Sequence, residues 1–98
     1  MTNAPTQGYH MENKTYVIGR RGNIQLFDKT TSSRHAELVV FDNQMYLTDL
    51  DSTNGTFLMD HGKRKRFTEG YINLDQTLSF GDHVCTVREL VARAELSS

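Results

Sequence analysis

Ninety-eight residues with a formal net charge of −1 make one domain, large enough to hide about 60–70% of its unfolded surface in a single core. That charge gives no overall pull toward nucleic acid or membrane, so electrostatic recognition has to be local. The lone Cys85 excludes an internal disulfide, and the longest apolar run, 38–41, is far too short to span a bilayer. With no signal-like amino terminus, the expectation is a cytoplasmic domain.

Residues 1–14 are polar, include the only proline (Pro5) and show neither strand nor helix periodicity, which predicts a flexible amino-terminal arm. Order is expected from Thr15, with a β-sandwich domain over 15–91. Short apolar stretches alternate with turn residues at 16–18, 24–27, 36–41, 45–50, 56–59, 71–74, 78–80 and 84–90, a spacing that reads as a sandwich or barrel. In the third stretch Ala36, Leu38 and Val40 share one face. Asp42-Asn43 follows, two residues that tolerate positive φ, and so predicts a tight hairpin into the next strand. Cys85 is expected as a core side chain. The tail, 92–98, is read as one or two helical turns or a frayed end, without function.

The loops flanking that hairpin are Thr30-Thr31-Ser32-Ser33-Arg34 and Asp51-Ser52-Thr53-Asn54-Gly55. Antiparallel strands return to their starting end, so both loops fall at one rim, crowding six hydroxyl-bearing side chains there. Hydroxyls and backbone amides are the donors an oxyanion takes, and Arg20 or Arg34 adds a planar cationic fork that matches phosphate. Taken singly, either loop is ordinary turn chemistry. Their conjunction points to an anion site.

Gly19-Arg20, then Ser32-x-x-His35, then Asp49-Leu50-x-Ser52-Thr53-Asn54-Gly55-Thr56, in that order and spacing, resembles the forkhead-associated (FHA) domain, over about 15–87. The resemblance implies an all-β sandwich of two twisted, mostly antiparallel sheets, about eleven short strands, with a phosphothreonine peptide bound by loops at one end. It implies that Arg20 clamps phosphate, that Ser32 and Thr53 bind it through their hydroxyls, and that Asn54 bonds the peptide main chain. Ser33 stands where the family often has arginine or asparagine, beside the phosphothreonine, and Arg34 is a second cation near it. Gly19, His35, Ser52, Gly55 and Thr56 are expected to support the site, His35 as a brace rather than a catalyst, and Gly55 in a turn free of Cβ. Two departures stand out. The string Met59-Asp60-His61-Gly62 replaces a second Asn-Gly, and Gly70-Tyr71 stands where the family usually has Gly-Asp before a strand.

The expected function is therefore a phosphothreonine-peptide-binding adaptor in Ser/Thr kinase signalling, not an enzyme. It would be a monomer as an isolated domain, without cofactor, metal or membrane partner. The alternative is a phosphate-independent interaction or self-assembly module on the same fold. Rival chemistries fit poorly. A calcium loop from Asp49 to Asp60 would need its glycine sixth, whereas Gly55 is seventh. His35-x-Glu37 lacks the cysteines of a zinc deaminase. No nucleophile elbow frames Ser32 or Ser33. Lys63-Arg64-Lys65-Arg66 reads as a solvated loop between strands. Nucleic-acid binding is its weak alternative, and a preference for acidic residues in the phosphopeptide lies between the two.

Overall fold

A computed structural model of the protein describes residues 12–97; most of the arm expected over 1–14 lies outside the described residues. Lys14 already opens the first strand. Nine strands are found among the described residues: β1 (Lys14–Gly19), β2 (Ile24–Gln25), β3 (Ala36–Phe41), β4 (Gln44–Asp49), β5 (Thr56–Asp60), β6 (Lys63–Arg66), β7 (Glu69–Ile72), β8 (Thr77–Phe80) and β9 (His83–Thr86). They form a five-stranded sheet, β2-β1-β3-β4-β7, and a four-stranded sheet, β6-β5-β8-β9. All pairings are antiparallel except β1 with β2, so this is a mostly antiparallel two-sheet sandwich.

Alternation fixes which face is inside. Tyr16 and Ile18 of β1, Ala36, Leu38 and Val40 of β3, and Met45 and Leu47 of β4 are buried, and they meet Leu78 and Phe80 of β8 across the core. Asp42 and Asn43 both adopt left-handed φ, 52° and 63°, as a two-residue hairpin turn with the strands' own twist requires. That turn sets the register Ala36↔Asp49, which places the residues before β3 and after β4 at the same end of the sandwich.

Three expectations change. The apolar stretch 84–90 is strand only to Thr86, where the chain becomes α1 (Val87–Ser97). Thr86 Oγ1 accepts from Glu89 N–H (3.1 Å) and Glu89 Oε1 accepts from Thr86 N–H (2.7 Å), a reciprocal capping box. Val87, Leu90, Val91 and Ala94 then follow at helical spacing and are buried in the core. The final apolar residues therefore add a helix to the sandwich, which has nine strands among the described residues where about eleven are expected. The basic run 63–66 is an edge strand, β6, paired with β5 (Phe57↔Arg66, Met59↔Arg64) through the turn at His61 and Gly62, both at positive φ (51° and 78°). Its exposed cations also make it a poor template for edge-to-edge pairing. Gly70-Tyr71, expected ahead of a strand, lies inside β7. Among the described residues no helix is long and apolar enough to cross a membrane.

Candidate functional site

Three chain segments meet at the end of the sandwich opposite the β3–β4 turn: 19–22 after β1, 28–35 before β3, and 50–55 after β4. Backbone hydrogen bonds join the first two, Arg20 N–H to Ser32 O (3.1 Å) and Arg21 N–H to Ser33 O (3.0 Å). So close an approach explains Gly19: a Cβ there would lie 2.3 Å from Ser33 O, well inside contact distance. The third segment joins the second through Leu50 N–H to His35 O (2.9 Å), Thr53 N–H to Ser32 Oγ (3.1 Å) and Asn54 Nδ2 to Thr30 O (2.8 Å).

His35 lies beneath this junction, fully buried and edge-on to the Phe80 ring at 5.6 Å between centroids. Its Nδ1 accepts from Ser32 N–H (3.0 Å), which leaves the ring proton on Nε2 to be donated to Gly55 O (2.9 Å). One neutral tautomer thus ties the serine loop to the asparagine loop. Burial pushes the imidazole below its ordinary value of 6.5, against the opposing effects of the Gly55 bond and Asp49.

The second brace was not singled out from the sequence. Asp49 accepts from Ser52 Oγ (2.6 Å), Ser52 N–H (3.2 Å) and Thr56 Oγ1 (2.8 Å), and Ser52 Oγ in turn accepts from Gly55 N–H (3.0 Å). Burial pushes this carboxyl up, but the Ser52 and Thr56 hydrogen bonds outweigh it and hold Asp49 below the usual carboxylate range. Asp49 is thereby an organiser of its own loop, and Asp60, its notional calcium-loop partner, belongs to β5. Gly55 turns the chain at φ 86°.

Of the six loop hydroxyls, three are engaged inward. Thr31 is buried and donates to Phe80 O (2.9 Å). Thr30 donates to Asp28 Oδ1 (2.6 Å) and accepts from Asp82 N–H (2.8 Å). Ser52 serves Asp49. Ser32, Ser33 and Thr53 remain toward the rim. Ser32 Oγ has one lone pair occupied by Thr53 N–H, so its own proton is available to a ligand. Arg20 is exposed, and its Nε donates to Thr31 O (2.7 Å), which orients the guanidinium while its two Nη groups make no hydrogen bond or ion pair among the described residues. Arg34 is exposed nearby and has no ion pair among those residues either. Asn54 faces Thr30 O with its Nδ2, the orientation the carbonyl dictates, and so presents Oδ1 as an acceptor. The end of the sandwich thus gathers one oriented cation, Arg20, with Arg34 beside it, hydroxyl donors and an amide acceptor on braced loops.

A two-sheet β-sandwich whose end loops carry such a site is a loop-end binding module. The chain belongs to the FHA domain family, whose model matches residues 16–81. Among solved structures it is similar to the FhaA FHA domain complexed with the intracellular domain of Rv3910, at 26% identity over 78% of this chain and 81% of that one, TM-score 0.64. It is similar to the FHA domain of CT664 from Chlamydia trachomatis, at 27% identity over 78% and 77%, TM-score 0.64. An FHA domain characterised for phosphothreonine-dependent interactions matches at 25% identity over 80% and 79%, TM-score 0.68. No curated protein sequence matches the chain.

Proposed function

We propose that this domain is a phosphothreonine-peptide-binding module that acts by docking, without catalysis, in Ser/Thr kinase signalling. The observation that carries the reading is the paired arrangement of Arg20 and Ser32: the guanidinium is pinned through Nε, and the adjacent hydroxyl is oriented by Thr53 N–H. Two Nη donors and one O–H then converge on an incoming oxyanion, with the Thr53 hydroxyl beside them and Arg34 as a second cation. Ser33 lies next to the phosphothreonine. Asn54 Oδ1 accepts from a main-chain N–H of the peptide. The phosphothreonine-dependent interactions of a similar FHA domain support the same ligand class.

Each charged hydrogen bond to the phosphate contributes about 1.5–3 kcal/mol, whereas the threonine methyl is worth only about 0.8 kcal/mol by burial. Phosphate therefore dominates, and threonine-over-serine preference is several-fold. Binding in the micromolar range, about −8 kcal/mol, is expected for a short peptide. Calorimetric titration of one peptide with threonine and with phosphothreonine tests this: the phosphorylated form binds at least about 100-fold tighter, and the gain shrinks as pH falls through about 6, where the phosphate loses its second charge. Equal affinity for the two peptides overturns the proposal.

One observation favours a second reading. Ser32 Oγ, Thr53 N–H and Asn54 Nδ2 are all engaged in holding loops together, which is also what a phosphate-independent interaction module on this fold requires. That reading expects both peptides to bind alike.

A further inference from the structure

The basic strand β6 is not uniformly solvated. Lys65 pairs with Asp60 (3.3 Å), a carboxylate that also contacts His61 (2.7 Å). Arg64 and Arg66 have no carboxylate partner among the described residues and instead lie against Phe57 of β5. The Arg64 guanidinium carbon is 3.9 Å from the ring centroid and that of Arg66 5.8 Å, both within cation–π reach. The pairing Phe57↔Arg66 and Met59↔Arg64 puts these side chains on one face of the sheet, since residues opposite one another across a ladder share a face.

That face leads to the recognition loops. A Cβ built on Gly55 would meet Phe57 Cζ at 3.1 Å and the Arg66 guanidinium carbon at 3.3 Å. Gly55 is two residues from Thr53, about 7 Å of extended chain. Arg64 Nη2 donates to Gly81 O (3.3 Å), and Gly81 N–H donates to Gly55 O (2.9 Å), so Arg64 is anchored to the same loop end. Asp82, next along the chain, makes no ion pair with it. Two arginines stacked on a ring have lost much of their rotamer freedom, which lowers the cost of holding an anion in a fixed position.

We infer that Arg64 and Arg66 form a second anion subsite beside the phosphothreonine pocket, selecting peptides that carry an anionic side chain flanking the phosphothreonine on the β6 side. This rests on the phosphothreonine reading and adds its sequence preference. The anion is a glutamate or aspartate carboxylate, or a second phosphate.

The test uses four peptides of one sequence: unphosphorylated with neutral flanks, phosphothreonine with neutral flanks, phosphothreonine with glutamates on either side, and phosphothreonine with a second phosphothreonine. Wild-type protein is expected to bind the glutamate-flanked peptide about five-fold tighter than the neutral phosphopeptide, and the doubly phosphorylated one at least as much tighter. Raising salt should erode that ratio first. In Arg66→Gln the ratio falls by about half, and in Arg64→Gln/Arg66→Gln it falls to about one, with folding checked by thermal melting. Arg66→Gln alone keeps the closer Arg64 stack and so guards against loss of fold. A gain restricted to glutamate assigns a carboxylate, and one restricted to the second phosphate assigns a phosphate.

Wild type that gains affinity for neither anionic peptide, a gain left unchanged in the double variant, or an equal loss in Lys63→Gln overturns the subsite. Single-stranded oligonucleotide binding that depends on Arg64 and Arg66 but not on Arg20 also overturns it, assigning the strand to nucleic acid. Failure of wild type to distinguish the first two peptides instead strikes the phosphothreonine reading, so the two failures are separable.

Discussion

Arg20→Ala lowers affinity for a phosphothreonine peptide at least 100-fold, about 3 kcal/mol or more, while the domain remains folded. The Arg20 side chain is exposed and makes one hydrogen bond to the fold, from Nε to Thr31 O (2.7 Å). Removing it costs stability only about 1 kcal/mol. The loop backbone is held independently, by Arg20 N–H to Ser32 O and Arg21 N–H to Ser33 O, bonds that alanine preserves. Arg20→Lys keeps the charge but loses both the anchored Nε and the planar fork, so it recovers only part of the affinity. Titration calorimetry with the matched phosphopeptide, alongside a thermal melt, reads both quantities. Undiminished affinity in Arg20→Ala would remove the cation from the site.

The largest loss of stability is expected at His35. His35→Ala opens a cavity beside Phe80, leaves Ser32 N–H without its acceptor and takes from Gly55 O one of its two donors, the other being Gly81 N–H, together about 3–5 kcal/mol in urea unfolding. Phosphopeptide affinity falls with it, because the serine and asparagine loops lose the ring that joins them. The same residue sets a pH dependence. Its folded pKa lies below the ordinary value of 6.5, because burial disfavours the charged ring, so the unfolded chain takes up the proton first. The native state keeps its full stability above about pH 6.5 and loses it progressively as pH falls through the lower folded value. Protonating Nδ1 also turns the acceptor of Ser32 N–H into a donor, which pushes the loop away. The His35→Ala variant should lack this slope between pH 7 and 5, whereas a slope retained in full would place its origin elsewhere.

The sandwich was legible because its hairpin chemistry is local. Asp42-Asn43 announces a turn, Ala36, Leu38 and Val40 share a face, and both loops follow from that register. That the serine and asparagine loops meet at one end was legible through the hairpin and a family resemblance, but the partition of their hydroxyls was not. Nothing in Thr30-Thr31-Ser32-Ser33 says that Thr31 turns inward to Phe80 O, a contact 49 residues away in the chain. Asp49 passed unnoticed as a brace because a carboxylate's partners are set by the loop it organises.

Two features were readable and were read differently. Thr86-Val87-Arg88-Glu89 is a capping-box sequence, and Val87, Leu90, Val91 and Ala94 follow at helical spacing. The preceding apolar strand residues masked the change of period. The basic run has strand pairing written into it as well. Taking His61-Gly62 as a two-residue turn pairs Arg66 with Phe57 and Arg64 with Met59, which turns a charged loop into an edge strand directed at the site.

Amide chemical-shift mapping of the isotope-labelled domain, titrated with a phosphothreonine peptide and with its unphosphorylated twin, tests the central claim most directly. The phosphorylated peptide should move Arg20, Ser32, Ser33, Thr53 and Asn54 together, leave the exposed Tyr46 and Tyr71 face of β4 and β7 unmoved, and show no such response with the twin. Shifts on that sheet face with the loop residues silent, or equal shifts from both peptides, would contradict a phosphothreonine clamp at the end of the sandwich.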